Sequence, residues 1–133
     1  MKNKVEILNN KERPINPIEL IKLYNGAGWW EERTDQDIEE MLKQGDSVGA
    51  WHNSELIGFA RAVSDGKFRA YIEDVVVHKD YQNSGIGTKL LELLLAELSH
   101  IDIISLFCEE DLIPFYEKNN FKFSKSHLVM HRK

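Results

Sequence analysis

The run Val75-Val76-Val77-His78-Lys79-Asp80-Tyr81-Gln82-Asn83-Ser84-Gly85-Ile86-Gly87-Thr88-Lys89-Leu90 constrains this chain most, because it reads as a strand that passes through a glycine-bearing loop into a helix. The N–H groups of a first helical turn have no partner inside the helix and stand at the positive end of its dipole, so such a junction attracts an anion. Gly85 and Gly87 would let a pyrophosphate approach backbone that any side chain would hold off. Two familiar phosphate loops are excluded. Gly85-Ile86-Gly87-Thr88-Lys89-Leu90 lacks the third glycine of a dinucleotide fingerprint, and Thr88-Lys89 stands in the wrong order for a nucleotide P-loop.

Hydrophobic spacing predicts what surrounds this junction. Val5-Glu6-Ile7-Leu8 reads as an edge strand, Asn16-Pro17 as the cap and first position of a helix reaching Gly26, and Thr34 with Asp37 as the cap of a second helix ending near Gly45. Val48–Trp51 and Leu56–Ala60 form a hairpin, and the turn Ser64-Asp65-Gly66-Lys67 adds a third antiparallel strand, Phe68–Val77. Gly85–His100 carries a broad leucine face and is the longest helix. Ile101–Phe107 reads as a buried strand, Leu112–Lys118 as a short helix, and Phe121–Phe123 with His127–Met130 as a closing hairpin. The sum is a mixed α/β fold of order β-α-α-β-β-β-α-β-α-β: a largely antiparallel central sheet flanked by helices. At 133 residues it suits a single domain spanning 1–133.

Composition excludes some function classes. A net charge of −5 would repel a phosphate backbone, so nucleic acid is not an expected partner. No apolar stretch approaches the roughly 18 residues that span a bilayer, and the first residues do not resemble a leader, so the expected setting is cytoplasmic, away from membrane. The single cysteine, Cys108, reads as a small apolar filler at a strand end. His127 and His131 lie too far apart along a strand to share an ion, and no metal is expected. Between the first two helices, Gly26-Ala27-Gly28-Trp29-Trp30 puts two large aromatics on a flexible loop, where they either cap the core or line an acceptor pocket.

Gln82, Gly85 and Gly87 resemble the pyrophosphate motif Gln/Arg-x-x-Gly-x-Gly/Ala of the GNAT superfamily of N-acetyltransferases. Val75 and Val77 are similar to that family's Leu/Val-x-Val strand, and Phe115-Tyr116-Glu117-Lys118-Asn119-Asn120-Phe121 to its Phe-Tyr-x-x-x-x-Phe segment. The family often has Pro where Lys79 stands and Gly where Asn83 and Asn120 stand, and Asn is the side chain that best tolerates left-handed backbone. Glu109 replaces an Asn that touches the cofactor in the family.

The resemblance implies a GNAT fold that uses acetyl-CoA. Val75, Val76 and Val77 would receive its pantetheine arm along a splayed strand edge, and Gln82, Asn83, Ser84, Gly85, Ile86, Gly87 and Thr88 its pyrophosphate. It implies a bulge near Val76 or Val77 that frees an N–H for an oxyanion, and a proton-donating role for Tyr116. The acceptor is expected to be a small primary amine, bound near Trp29 and Trp30 and attacking directly. Glu73 and Asp74 are the candidate bases. Strand alternation sets Glu73 on the side of Val75 and Val77, and Asp74 on the side of Ile72 and Val76, so at most one faces the reacting centre. Acetylation of protein amines and a non-catalytic acetyl-CoA sensor are the alternatives, and a homodimer through sheet edges is compatible with the fold.

Overall fold

The computed structural model describes residues 4–132. In chain order the elements are β1 (Val5–Asn9), α1 (Pro17–Gly26), α2 (Asp35–Leu42), β2 (Asp46–His52), β3 (Glu55–Ser64), β4 (Arg69–Val77), α3 (Ile86–Glu97), β5 (Ile103–Leu106) and α4 (Ile113–Glu117). Short 3-10 turns at Lys79–Tyr81 and Glu110–Leu112 precede α3 and α4. The strands lie side by side in the order β1-β2-β3-β4-β5, antiparallel as far as β4, with β5 parallel to β4.

Local chemistry sets the helix starts as expected. The Asn16 side chain accepts from the N–H groups of Ile18 and Glu19, with Pro17 inside the first turn of α1. Thr34 and Asp37 close a reciprocal capping box on α2. The apolar stripes then take opposite faces of the sheet. Leu90, Leu91 and Leu94 of α3 pack with Val48, Ala50, Ala60 and Ile72, while Leu20, Leu23 and Tyr24 of α1 and Ile38 of α2 pack with Trp51, Phe59 and Val76.

Two expectations at the C-terminal end are corrected. The strand read as buried over Ile101–Phe107 is a four-residue edge strand, Ile103–Leu106, with Ile103 and Phe107 exposed. Only one neighbour, β4, pairs with it, so its apolar residues are half covered. The closing hairpin of Phe121–Phe123 with His127–Met130 is absent from the sheet, and Phe123, Leu128 and Met130 are exposed. Apolar, β-branched residues suggest strands by type, but the polar Ser124-Lys125-Ser126 breaks the run into short pieces, and neither joins the sheet.

A third correction concerns β4. Its register against β3 pairs Arg61 with Glu73 and Phe59 with Val76, so Asp74 and Val75 together oppose Ala60. The bulge sits at Asp74, whose φ is 57, not at Val76 or Val77. One extra residue reverses the alternation: Ile72 packs on the α3 side, yet Val76 packs on the α1 side, with Val75 and Val77 turned toward α3.

Candidate active site

The ladder between β4 and β5 joins Arg69 to Ile72 with Ile103 to Leu106 and goes no further. Beyond it the two strands part, leaving the outer edge of β4 unpaired among the described residues from Glu73 onward. A cleft of about 310 Å³ opens there. Glu73, Asp74 and Val75 of β4, Trp29 from the α1–α2 loop, Cys108 and Glu109 after β5, and Tyr116 of α4 all line it.

At the far end of β4 the chain enters the glycine loop. Gln82 folds back, its amide donating to the Val77 carbonyl at 3.0 Å, and the Ser84 hydroxyl donates to the Tyr81 carbonyl. Asn83 has φ 62 and Gly85 φ 86, so both take the left-handed conformation, as does Asn120 after α4, with φ 70. No side chain caps α3 at Gly85, which leaves its first N–H groups for an outside partner. A Cβ at Gly85 would meet nothing within 4 Å, so only its backbone angle demands glycine. Gly87 differs: a Cβ there would stand 3.4 Å from the Phe115 ring of α4, in ordinary contact, so the packing of α3 on α4 does not by itself demand glycine. Ile86 is buried and Thr88 half-buried in the same turn.

Gly85→Val is therefore expected to cost about 1–2 kcal/mol of stability through backbone angle alone. It should also weaken binding of an anion at the uncapped N–H groups by distorting the first turn of α3. Thermal melting and calorimetric titration would show both losses, and Gly85→Asn should recover most of them.

The carboxylates are arranged otherwise than alternation implies. Because of the bulge, both face the same guanidinium: Arg61 Nε donates to Asp74 Oδ2 at 2.9 Å, and Arg61 Nη2 lies 3.4 Å from Glu73 Oε2. Asp74 also accepts from Tyr24 Oη at 3.0 Å and has Arg33 Nη1 at 3.9 Å. Its side chain is 2% exposed, against 28% for Glu73. Burial first, and the neighbouring Asp74 charge second, push the Glu73 carboxyl up from its ordinary range, while Arg61 and Arg33 pull it back.

Tyr116 is buried against Phe115 and Phe121, with ring centroids 4.9 and 6.0 Å away. Its hydroxyl makes no hydrogen bond to a described residue, and burial, with Cys108 nearby, pushes it up to about 12. Cys108, expected as buried filler, is exposed. Of the paired tryptophans, Trp29 lines the cleft beside Tyr24, whereas Trp30 is excluded from it, half-exposed with φ 55 and the Arg33 guanidinium 4.0 Å above its ring. Val75 lines the cleft, Val76 is buried on the α1 side, and Val77 carries the end of the open edge. Sequence reasoning misses Tyr24, Arg33 and Arg61. The available signal was Arg61, a lone cation within the apolar run Leu56–Val63 that had to find a counter-charge.

The model of the acetyltransferase (GNAT) family matches residues 14–121, most of the chain and all of the site just described. The chain belongs to the GNAT acetyltransferase family. An uncharacterized N-acetyltransferase, ycf52, of the red alga Pyropia yezoensis is 36% identical over 123 residues, covering 87% of this chain and 70% of the relative. A soybean (Glycine max) protein named histone acetyltransferase TAP1 is 40% identical over 84 residues, 57% of this chain and 36% of that protein. Among solved structures, a probable acetyltransferase of methicillin-resistant Staphylococcus aureus, SA2161, superposes with a TM-score of 0.85 at 21% identity, over 98% of this chain and 99% of that one. Within the GNAT N-acetyltransferases the mixed α/β architecture is thus shared end to end, and the chain is an acyltransferase. No helix of the described residues is long and apolar enough to cross a membrane, and no group of three metal-ligating side chains gathers among them.

Proposed function

We propose that this chain transfers an acetyl group from acetyl-CoA to a primary amine, a small cationic molecule, by direct attack in a ternary complex. The observation that carries the reading is the cleft itself, which Glu73 and Tyr116 both line beside an unpaired strand edge. Acetyl-CoA fits these residues: the open edge of β4 at Val75–Val77 can accept an amide-rich arm, and the uncapped N–H groups of α3, with Asn83 and Ser84 before them, a pyrophosphate. When bound, it supplies an acetyl thioester activated toward amines.

The chain's own residues do the rest. An alkyl amine, with pKa near roughly 10, must shed a proton before it can attack. Glu73 is the base in this reading, since its carboxylate is accessible and its affinity for a proton is raised; Asp74 is enclosed by Tyr24, Arg61 and Arg33. Tyr116 stays protonated at neutral pH, so Oη can give its proton to a departing thiolate. The bulge at Asp74–Val75 takes backbone out of the ladder and offers N–H groups to a carbonyl oxygen.

The acceptor follows from the walls. Glu73 and Glu109 bring negative charge, and Trp29, Tyr71 and Phe107 bring aromatic faces, a setting that favours a cation. The volume of about 310 Å³ matches the low end of the roughly 300–1,000 Å³ of small-ligand sites. Acetylation of a protein amine is the second reading, favoured by the name of the soybean relative. A screen of small amines, with mass spectrometry of proteins incubated with enzyme and acetyl-CoA, separates the two by which of them gains 42 Da, roughly one acetyl group. Tyr116→Phe is expected to lower kcat while leaving the Kd of acetyl-CoA unchanged, read by steady-state turnover beside titration.

A further inference from the structure

We propose that Asp74 is a positioning residue: anchored by Tyr24, Arg33 and Arg61, it sits at the bulge in β4 that brings it onto the face of Glu73, and through the shared Arg61 it fixes the Glu73 carboxylate at the cleft. The inference deepens the reading in which Glu73 is the base, and rests on it.

In an unbroken strand Glu73 and Asp74 would point to opposite faces, and one guanidinium could not reach both. The bulge removes that separation at the cost of a left-handed backbone, φ 57, at a residue with a Cβ. Such a conformation persists only where its surroundings fix it. Three separate elements do so here: Tyr24 from α1 at 3.0 Å, Arg61 from β3 at 2.9 Å and Arg33 from the α1–α2 loop at 3.9 Å. The anchor is buried to within 2% of full enclosure, so it is shielded from an entering amine. Arg61 then spans the two carboxylates with different nitrogens, tying the position of Glu73 to that of Asp74.

The same geometry governs the charge of Glu73. The groups that face it are Asp74 and Tyr71 on its own strand, Arg61 on β3, Arg33 on the α1–α2 loop, and Cys108, Glu109 and Tyr116 across the cleft. Asp74 raises its proton affinity and the two arginines lower it.

The test is carboxyl-carbon NMR of Glu73 in the full chain without cofactor, followed through pH in wild type, Asp74→Asn and Arg61→Gln, with Tyr24→Phe as a variant that removes one hydroxyl and no charge. Glu73 is expected to titrate lower in Asp74→Asn and higher in Arg61→Gln. Tyr24→Phe should lower kcat several-fold with the KM of the amine unchanged, since it loosens the anchor and leaves the cleft walls in place. Titration of Glu73 at the same pH in all three charge states, or full kcat in Tyr24→Phe, would overturn the proposal. Full turnover by Glu73→Gln would instead refute Glu73 as base, a failure that the NMR titration keeps distinct.

Discussion

Glu73→Gln is expected to lower kcat by about 10²–10⁴-fold, the range of a positioned general base. Glutamine keeps the shape and a hydrogen-bonding oxygen toward Arg61, and the ion pair it loses is long and partly exposed, so stability should change little. What it loses is the capacity to accept a proton. The sign of the pH dependence follows: the Glu73 carboxyl is raised by burial and by Asp74, so the active carboxylate form is lost as pH falls through a value above the ordinary range. The acid limb of kcat should therefore lie high in wild type and be missing from the variant. Steady-state turnover across pH, with acetyl-CoA saturating, checks both. Undiminished kcat would remove Glu73 from the mechanism.

Asp74→Ala is the variant expected to damage the fold most. It leaves the mostly buried Arg61 guanidinium with one long carboxylate partner, strips the Tyr24 hydroxyl of its acceptor, and asks alanine to hold φ 57. Breaking a buried ion pair from one side costs about 3–5 kcal/mol, and the retained Glu73 contact places this case toward the lower end. Urea denaturation should show a lower midpoint at unchanged slope. A loss within about 0.5 kcal/mol, the range of an ordinary surface change, would mean that the network contributes nothing.

The two carboxylates also show where sequence stops being legible. Alternation along β4 was sound physics for a regular strand, and it failed because one left-handed residue shifts every later side chain to the other face. The partners that hold that residue come from α1, the α1–α2 loop and β3, far away in the chain. Local signals did better. Asn16-Pro17 and Thr34 with Asp37 marked their helices correctly, and Asn83 and Asn120 take the left-handed angles expected of asparagine in place of glycine. The strand–loop–helix junction was readable for the same reason: its chemistry lies within consecutive residues. What the sequence did not show is that Gly87 also stands beside Phe115, which comes from a helix far along the chain. At the C-terminal end, residue type predicted strands that no partner was present to pair.

Calorimetric titration of the purified protein with acetyl-CoA, with NAD and ATP as controls, tests the central claim most directly, because the open edge of β4, the uncapped start of α3 and the cleft between them are all read as one cofactor-binding site. Micromolar binding of acetyl-CoA with no response to the controls is the predicted result. Absence of binding, or equal binding of NAD, would contradict the account.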